Sequence, residues 1–194
     1  MLNRAGKIVV IMYILITPLI GKSVRKPILR KPILGAQAPN FSLPDQDKRI
    51  RTLSEFKGSY VVLYFYPQDE TSRCTQQACN IRDSYDRFTK NKIVVLGVSY
   101  DSPASHKKFI AKERLPFTLL SDTDHAVATL YKANRFLPYA KRKTFVINPS
   151  GIICGILRHA DVKTHVGDVM KLIEADKQNS LTKNHANDRN YYAP

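Results

Sequence analysis

Residues 60–79 read YVVLYFYPQDETSRCTQQAC, and this stretch carries the strongest indication of the fold. Its first seven residues are apolar without a polar alternation and are rich in β-branched and aromatic side chains. Such a run is typical of a strand that is covered on both faces, so we predict a central strand here. Pro67 ends that strand, because proline has no backbone N–H for the sheet. Two of the chain's three cysteines, Cys74 and Cys79, come directly after it.

The rest of the chain alternates strands with helices. Similar patterns predict strands at 93–99 and 144–148, a hairpin strand at 152–158, and helices at 74–90, 103–114 and beyond Asp161, where Val162, Val166, Val169, Met170 and Ile173 form an apolar stripe. Ser102 is a cap for the second of these helices, and Pro103 occupies its first position. Strands that alternate with helices and close with a hairpin indicate an α/β fold with a mixed central sheet.

The net charge of +15 over 194 residues raises a nucleic-acid or membrane partner as an interpretation. Residues 1–44 contain seven Lys and Arg and no acid, so about half of this charge precedes the predicted sheet. The other bases are scattered among acids and do not interleave with aromatic residues as on an RNA-recognition strand. We therefore expect a solvated basic surface and no nucleic-acid partner.

The segment 1–34 differs in composition from the rest of the chain. Residues 8–20, IVVIMYILITPLI, are apolar apart from Thr17 and come after two bases, which is the layout of a signal peptide. The run is shorter than the roughly 20 residues of a transmembrane helix. We expect it to associate the chain with a membrane or to direct its export. Organelle targeting, a cytoplasmic location and a buried N-terminal element are the alternatives.

A repeated RKPIL, at 25–29 and 30–34, predicts an extended basic linker suited to contact with anionic lipid, so membrane contact is expected through residues 8–34. One folded domain is then predicted over 35–176. Residues 177–194 are polar and lack an apolar stripe, which predicts a disordered, frayed tail.

Cys74 is expected near the N-terminus of the helix that succeeds the central strand. There the helix dipole and unpaired N–H groups favour the thiolate, which is the nucleophilic form of cysteine. On one ideal helix the Cα atoms of Cys74 and Cys79 lie roughly 8–9 Å apart, whereas a disulfide needs less than about 7 Å. If the two are a redox pair, part of the helix must unwind in each cycle.

From the residues alone, other interpretations of the cysteines stay open. Both could be inert buried thiols. A zinc site is disfavoured because the histidines are scattered, at positions 106, 125, 159, 165 and 185. The chain also lacks a CxxC motif. Cys154 is predicted to be a core residue that shares one strand face with Ile152 and Ile156.

The wider stretch FYPQDETSRCTQQACNIRD, residues 65–83, resembles the active-site segment of the atypical two-cysteine peroxiredoxins, in their bacterioferritin comigratory protein or peroxiredoxin Q branch. Other segments resemble the family in the same order: GAQAPNFSLPDQD, LGVSYDSPASHKKF, LPFTLLSD and KRKTFVINPSG. The resemblance spans roughly 35–176. It implies a thioredoxin-like fold, with helices on both faces of the sheet.

The resemblance also implies a thiol-dependent peroxidase that reduces hydrogen peroxide and organic hydroperoxides. By motif position, Cys74 is the peroxidatic cysteine and Cys79 the resolving cysteine, and the two form an intramolecular disulfide. Thr71 places its hydroxyl on the sulfur and the peroxide, Pro67 shields the pocket, and Arg142 completes the site. Thioredoxin or a similar dithiol is the implied reductant. A monomer is expected, and no metal or organic cofactor.

The chain departs from this family at Ser72-Arg73, where proline and glycine are usual. The change alters the stiffness of the loop and adds a positive charge, so it bears on substrate preference. The alternative to a peroxidase is a non-enzymatic peroxide sensor or redox chaperone on the same fold.

Overall fold

The computed structural model describes residues 32–134 and 139–191, with side chains through 182. Most of the predicted targeting or anchor segment, residues 1–31, lies outside this part. The strands are β1 (Ser42–Pro44), β2 (Ile50–Thr52), β3 (Tyr60–Phe65), β4 (Ile93–Ser99), β5 (Thr118–Ser121), β6 (Lys143–Ile147) and β7 (Ile153–Leu157). A five-stranded sheet has the order β5-β4-β3-β6-β7, and β1 pairs with β2 in a separate ribbon.

The predicted central strand is confirmed. β3 lies in the middle of the sheet, parallel to β4 and antiparallel to β6, and all six of its residues are buried. The apolar side chains that point to its two faces enter two separate cores. Continuous apolarity was therefore the correct signal for a strand with both faces covered.

Helices cover both faces of the sheet, as predicted. They are α1 (Ser72–Asp83), α2 (Tyr85–Lys90), α3 (Pro103–Glu113), α4 (Ala126–Leu130) and α5 (His165–Tyr191). Side chains of α1, α2, α3 and α5 fill the first core. The second core contains α4 together with chain that precedes β3, including a short 3-10 helix over Leu53–Phe56.

The helix predicted over 74–90 is two helices. Its backbone leaves the helical region at Ser84 (φ −107°, ψ 10°), whose N–H donates to the carbonyl of Ile81 at 3.2 Å. Serine is a poor interior helix former, which is consistent with a break at this position. The cap of α3 is as predicted, because the Ser102 hydroxyl accepts the N–H of Ser105 at 3.2 Å and Pro103 is the first helical residue.

The last helix, α5, differs from expectation at both ends. Asp161 accepts the N–H of Lys163 at 2.9 Å, but it caps a turn, and the helix itself begins at His165. The backbone stays helical to Tyr191, where a frayed tail was expected, because no proline or glycine interrupts residues 168–191. The division into a linker, a domain over 35–176 and a tail stays a prediction.

Strand β7 contains a bulge that corrects the predicted position of Cys154. Gly155 pairs with Val146 and Ile153 pairs with Ile147, so Cys154 is an extra residue between them. The bulge turns Cys154 toward the first core, whereas Ile153 and Ile156 contact the second. The predicted common face of Ile152, Cys154 and Ile156 is therefore wrong.

Within residues 32–134 and 139–191, no helix has both the length and the apolar character needed to cross a membrane.

Gly97 in β4 has a packing role that can be tested. A Cβ at this position would lie 2.6 Å from Leu119 Cδ2 and 2.7 Å from the Tyr64 hydroxyl oxygen, and both of those side chains are buried. We expect Gly97→Ala to lower the free energy of unfolding by about 1–3 kcal/mol, because the core must shift to admit the methyl group. Urea denaturation measures this change.

Gly167→Ala is the matched control. Gly167 lies on helix α5, and a Cβ at this position would have no neighbouring atom within 4 Å. The substitution should stabilise the protein by up to about 1 kcal/mol through helix propensity. Equal stability of Gly97→Ala and wild type would contradict the close packing at β4.

Candidate active site

The loop between β3 and α1 is held in place by hydrogen bonds, most of them from buried side chains. The Tyr66 hydroxyl donates to Asp69 Oδ1 at 2.7 Å, and the other carboxylate oxygen of Asp69 lies 2.9 Å from Nδ1 of His106 on α3. The backbone N–H of Asp69 donates to Asp101 at 2.9 Å, just beyond the end of β4. These contacts fix the point at which α1 begins.

Thr71 is the N-cap of α1, and its carbonyl accepts the N–H of Thr75 at 2.8 Å. Its hydroxyl donates to the carbonyl of Gln68 at 3.2 Å. None of the hydrogen bonds in the described residues joins this hydroxyl to the sulfur of Cys74, so the side chain is near the helix start but directed at the loop.

Cys74 lies in the first turn of α1 and is 3% exposed. Nη2 of Arg142 donates to its Sγ at 3.2 Å. Arg142 immediately precedes β6, and the pairing of Phe65 with Lys143 brings the start of β6 beside the end of β3. The structure thus brings together Cys74 and Arg142, which are far apart in the sequence.

A buried polar chain continues from Arg142. Its Nη1 donates to Oε1 of Gln77, whose Nε2 lies 3.1 Å from Nδ1 of His165. On the other side of the ring, Nε2 of His165 is 2.8 Å from the Thr144 hydroxyl. Gln77, Thr144 and His165 are each at most 1% exposed. Because the Gln77 oxygen faces Arg142, its amide N–H faces His165, which fits a neutral imidazole that accepts at Nδ1.

Burial, and after it the charge of Arg142, lowers the pKa of His165 to about 4. The ring is therefore neutral at physiological pH. Sequence reasoning gave Gln77 and His165 no role. Gln77 lies three residues after Cys74, on the same side of a helix, which is a usable signal. Nothing in the sequence indicates that His165, 88 residues later, meets it.

An open cavity of about 480 Å³ borders Arg142, the residue that contacts the Cys74 thiol. Two alanines line it together with Pro67, Arg73, Lys141, Arg142 and His159. Pro67 is thus one of the residues that line the cavity, and its role in shielding the site stays a prediction. A second cavity, of about 320 Å³, lies against the other core, and its lining in the described chain includes no cysteine, histidine or carboxylate.

Cys79 is half-buried on the same helix as Cys74, and both thiols are free. Its Sγ donates to Oε2 of Glu113 at 3.5 Å. Burial raises the pKa of Cys79, and Glu113 adds to this increase, while the positive charge of Arg82 opposes it. Cys154 is also free, but it lies on β7, and burial raises its pKa to about 12.

Among the described residues, no three His, Cys, Asp or Glu side chains are grouped so as to hold a metal ion.

Comparisons with known proteins identify the family. Residues 34–156 match the model of the AhpC/TSA family. A rice protein, "Peroxiredoxin Q, chloroplastic" from Oryza sativa subsp. japonica, is 44% identical over 144 residues, which cover 73% of this chain and 66% of the relative. The chain thus spans just under two thirds of that relative's length.

Two solved structures agree with this match. Peroxidoxin BcpB from Mycobacterium tuberculosis is 30% identical with a TM-score of 0.69, covering 73% of this chain and 96% of that one. A bacterioferritin comigratory protein from Xanthomonas campestris, whose structures were used to study alkyl peroxide reduction, is 29% identical with a TM-score of 0.67, covering 70% and 91%. The predicted thioredoxin-like fold is confirmed by these neighbours.

The expected location is wrong. Residues 8–34 were expected to associate the chain with a membrane or to direct export, whereas plant relatives of this chain are named as chloroplastic proteins. Residues 1–31 themselves lie outside the described part.

The family match over 34–156, the peroxiredoxin Q relatives and the two Bcp structures lead to one conclusion. The chain belongs to the AhpC/TSA family and is a peroxiredoxin of the Q/Bcp branch.

Proposed function

We propose that this peroxiredoxin reduces hydrogen peroxide and organic hydroperoxides through Cys74. The observation that carries the proposal is the 3.2 Å contact of Arg142 Nη2 with Cys74 Sγ in the first turn of α1. A guanidinium and a helix N-terminus both favour the anionic sulfur. The family resemblance assigns the same positions.

In the first step the thiolate of Cys74 attacks the terminal oxygen of the hydroperoxide. An S–O bond forms as the O–O bond breaks, and the departing alkoxide takes a proton and leaves as an alcohol, or as water from hydrogen peroxide. Arg142 and the N–H groups of α1 stabilise the charge that moves onto the departing oxygen. The product at Cys74 is a sulfenic acid. Pro67 limits the access of water, and the Thr71 hydroxyl turns from Gln68 toward the bound peroxide.

In the second step Cys79 attacks the sulfur of Cys74, an S–S bond forms, and the hydroxyl of the sulfenic acid leaves as water. Five helical positions separate the two Cα atoms by roughly 8–9 Å, beyond the reach of a disulfide, so α1 must open between them. A thioredoxin-type dithiol then reduces the disulfide. The relatives do not favour a purely sensory role.

The proposal includes two further properties. A monomer suffices for this cycle, because both cysteines and Arg142 come from one chain. Organelle targeting through residues 1–34 is supported by the chloroplastic names of the plant relatives.

The cysteine roles are tested by single substitutions in an assay coupled to thioredoxin and its reductase. Cys74→Ser should abolish peroxide consumption. Cys79→Ser should allow one oxidation of Cys74 and then stop, because no disulfide forms for thioredoxin to reduce. Cys154→Ala is the matched control and should retain turnover, since Cys154 lies on β7, outside the site. Sustained thioredoxin-dependent turnover by Cys79→Ser would contradict the assigned resolving role.

His165 is proposed to position Arg142 through Gln77, and its titration provides a test. The folded state lowers the pKa of His165 from 6.5 to about 4, so the unfolded chain binds the proton first. The stability from the neutral ring is fully present above pH 6.5 and is lost as the pH falls toward 4, by up to about 3 kcal/mol.

We expect His165→Gln to flatten this part of the stability profile, measured by urea denaturation at pH 4 to 7. His159→Gln, at an exposed histidine, is the control and should leave the profile unchanged. Stopped-flow oxidation of Cys74 provides a second readout. His165→Phe, which leaves Gln77 without its partner, should slow this oxidation, and His165→Gln should retain more of the rate. Identical rates in wild type and His165→Phe would contradict the positioning role.

Glu113 is proposed to keep the Cys79 thiol protonated while α1 is intact. In a Cys74→Ser, Cys154→Ala background, Glu113→Gln should lower the pKa of Cys79, because a hydrogen-bonded carboxylate is removed. Arg82→Gln should raise it, because Arg82 favours the thiolate. The pH dependence of Cys79 alkylation measures both shifts, and a common direction for the two variants would contradict the assignment.

A further inference from the structure

The cavity that borders Arg142 and Pro67 has more positive charge than the reaction at the sulfur of Cys74 requires. Arg142 already contacts the thiol, and its other guanidinium nitrogen is bonded to Gln77. Arg73, Lys141 and His159 also line the cavity, and all three are exposed. No carboxylate belongs to its lining in the described chain.

These basic groups are not neutralised by ion pairs. Within residues 32–134 and 139–191, no Asp or Glu oxygen lies within 4.0 Å of a charged nitrogen of Arg73, Lys141 or Arg142. By contrast, two lysines on the surface of α3, Lys107 and Lys112, are paired with Asp47 at 2.9 Å and with Glu70 at 3.3 Å. The positive charge at the cavity is therefore available to a ligand.

The buried side chain of Lys143, next to Arg142 in the sequence, lies at the same end of the sheet. Lys143 donates to the carbonyl of Tyr131 at 3.1 Å and is 7% exposed. Burial lowers its pKa, and the positive charges of Arg158, Lys141 and Lys132 lower it further. Lys141, which lines the cavity, is thus one of several bases close to Lys143.

The sequence of this chain places one of these charges where the family usually has none. Arg73 directly precedes Cys74, at a position where the resemblance to the family implies a glycine. A neutral hydroperoxide gains little from such a charge, because its reacting oxygens are already served by Arg142 and the helix N-terminus. A substrate with its own negative charge gains from every base around the cavity.

We propose that this cavity selects small organic hydroperoxides that carry a carboxylate. The peroxide group meets Cys74 and Arg142, and the carboxylate lies among Arg73, Lys141 and His159. The volume of about 480 Å³ is within the range of small-molecule sites. This selection rests on the proposed peroxidase function, and the carboxylate itself is unchanged by the reaction.

The test compares a short hydroperoxide that bears a carboxylate with its own methyl ester, using the full chain. Stopped-flow measurement of the first oxidation of Cys74 gives a rate constant that does not involve the reductant. We expect the acid to react at least about tenfold faster than the ester at low salt, with the difference shrinking as salt screens the charges.

Arg73→Gln and Lys141→Gln should each slow the acid several-fold more than they slow the ester or hydrogen peroxide. Lys57→Gln is the charge-matched control, because Lys57 precedes β3 and lies at the other cavity. It should change none of the three rates. Equal rates for acid and ester, or equal losses on both substrates in the two variants, would overturn the proposed selection while leaving the peroxidase intact. Failure to oxidise Cys74 with any of the three, hydrogen peroxide included, would overturn the proposed function and the selection with it.

Discussion

The candidate site depends on the hydrogen bond between the guanidinium of Arg142 and the sulfur of Cys74, at the edge of the first core. Arg142 reaches Cys74 because β6 runs antiparallel to the central strand β3, so that its first residue lies beside the last of β3. Cys74 in turn is placed by the fastened loop that precedes α1. A shift of the sheet pairing by one residue would turn the side chains of β6 to the opposite face and separate the two groups. The contact between Arg142 and Cys74 thus depends on the pairing register of β3 and β6.

The elements of the fold were largely predictable, because a buried strand needs an uninterrupted apolar run and such runs are visible in the sequence. The strand over 93–99 was found with the same bounds. The bulge at Cys154 was not found, since the apolar pattern of β7 does not show which of its residues is unpaired. The adjacent Gly155 is explained only by packing: a Cβ there would lie 2.7 Å from Leu172 Cδ1 on α5.

The site was predictable only in part. Helix position alone indicated Cys74 as a candidate nucleophile and left an inert buried thiol open, whereas Arg142 was indicated by family resemblance, because 68 residues separate it from the cysteine. The partners behind Arg142 were missed for a general reason. A buried glutamine and histidine satisfy each other through long-range contacts, and neither residue type indicates its partner in a single sequence. The sequence showed that Arg73 adds a positive charge near Cys74. Only the structure shows that Lys141, Arg142 and His159 line the same cavity as Arg73.

The break at Ser84 separates helix α1, which contains both Cys74 and Cys79, from helix α2. Helix α2 begins anew after it, and its Phe88 side chain is held in the first core with 1% exposure. Since the ladder of α1 is already interrupted there, the hydrogen bonds within α2 are separate from those of α1. The proposed opening of α1 between Cys74 and Cys79 would therefore be a local fluctuation that leaves the hydrogen bonds of α2 intact. In a continuous helix over the same residues, the proposed opening of α1 would be coupled to the hydrogen bonds and the packing of the α2 segment.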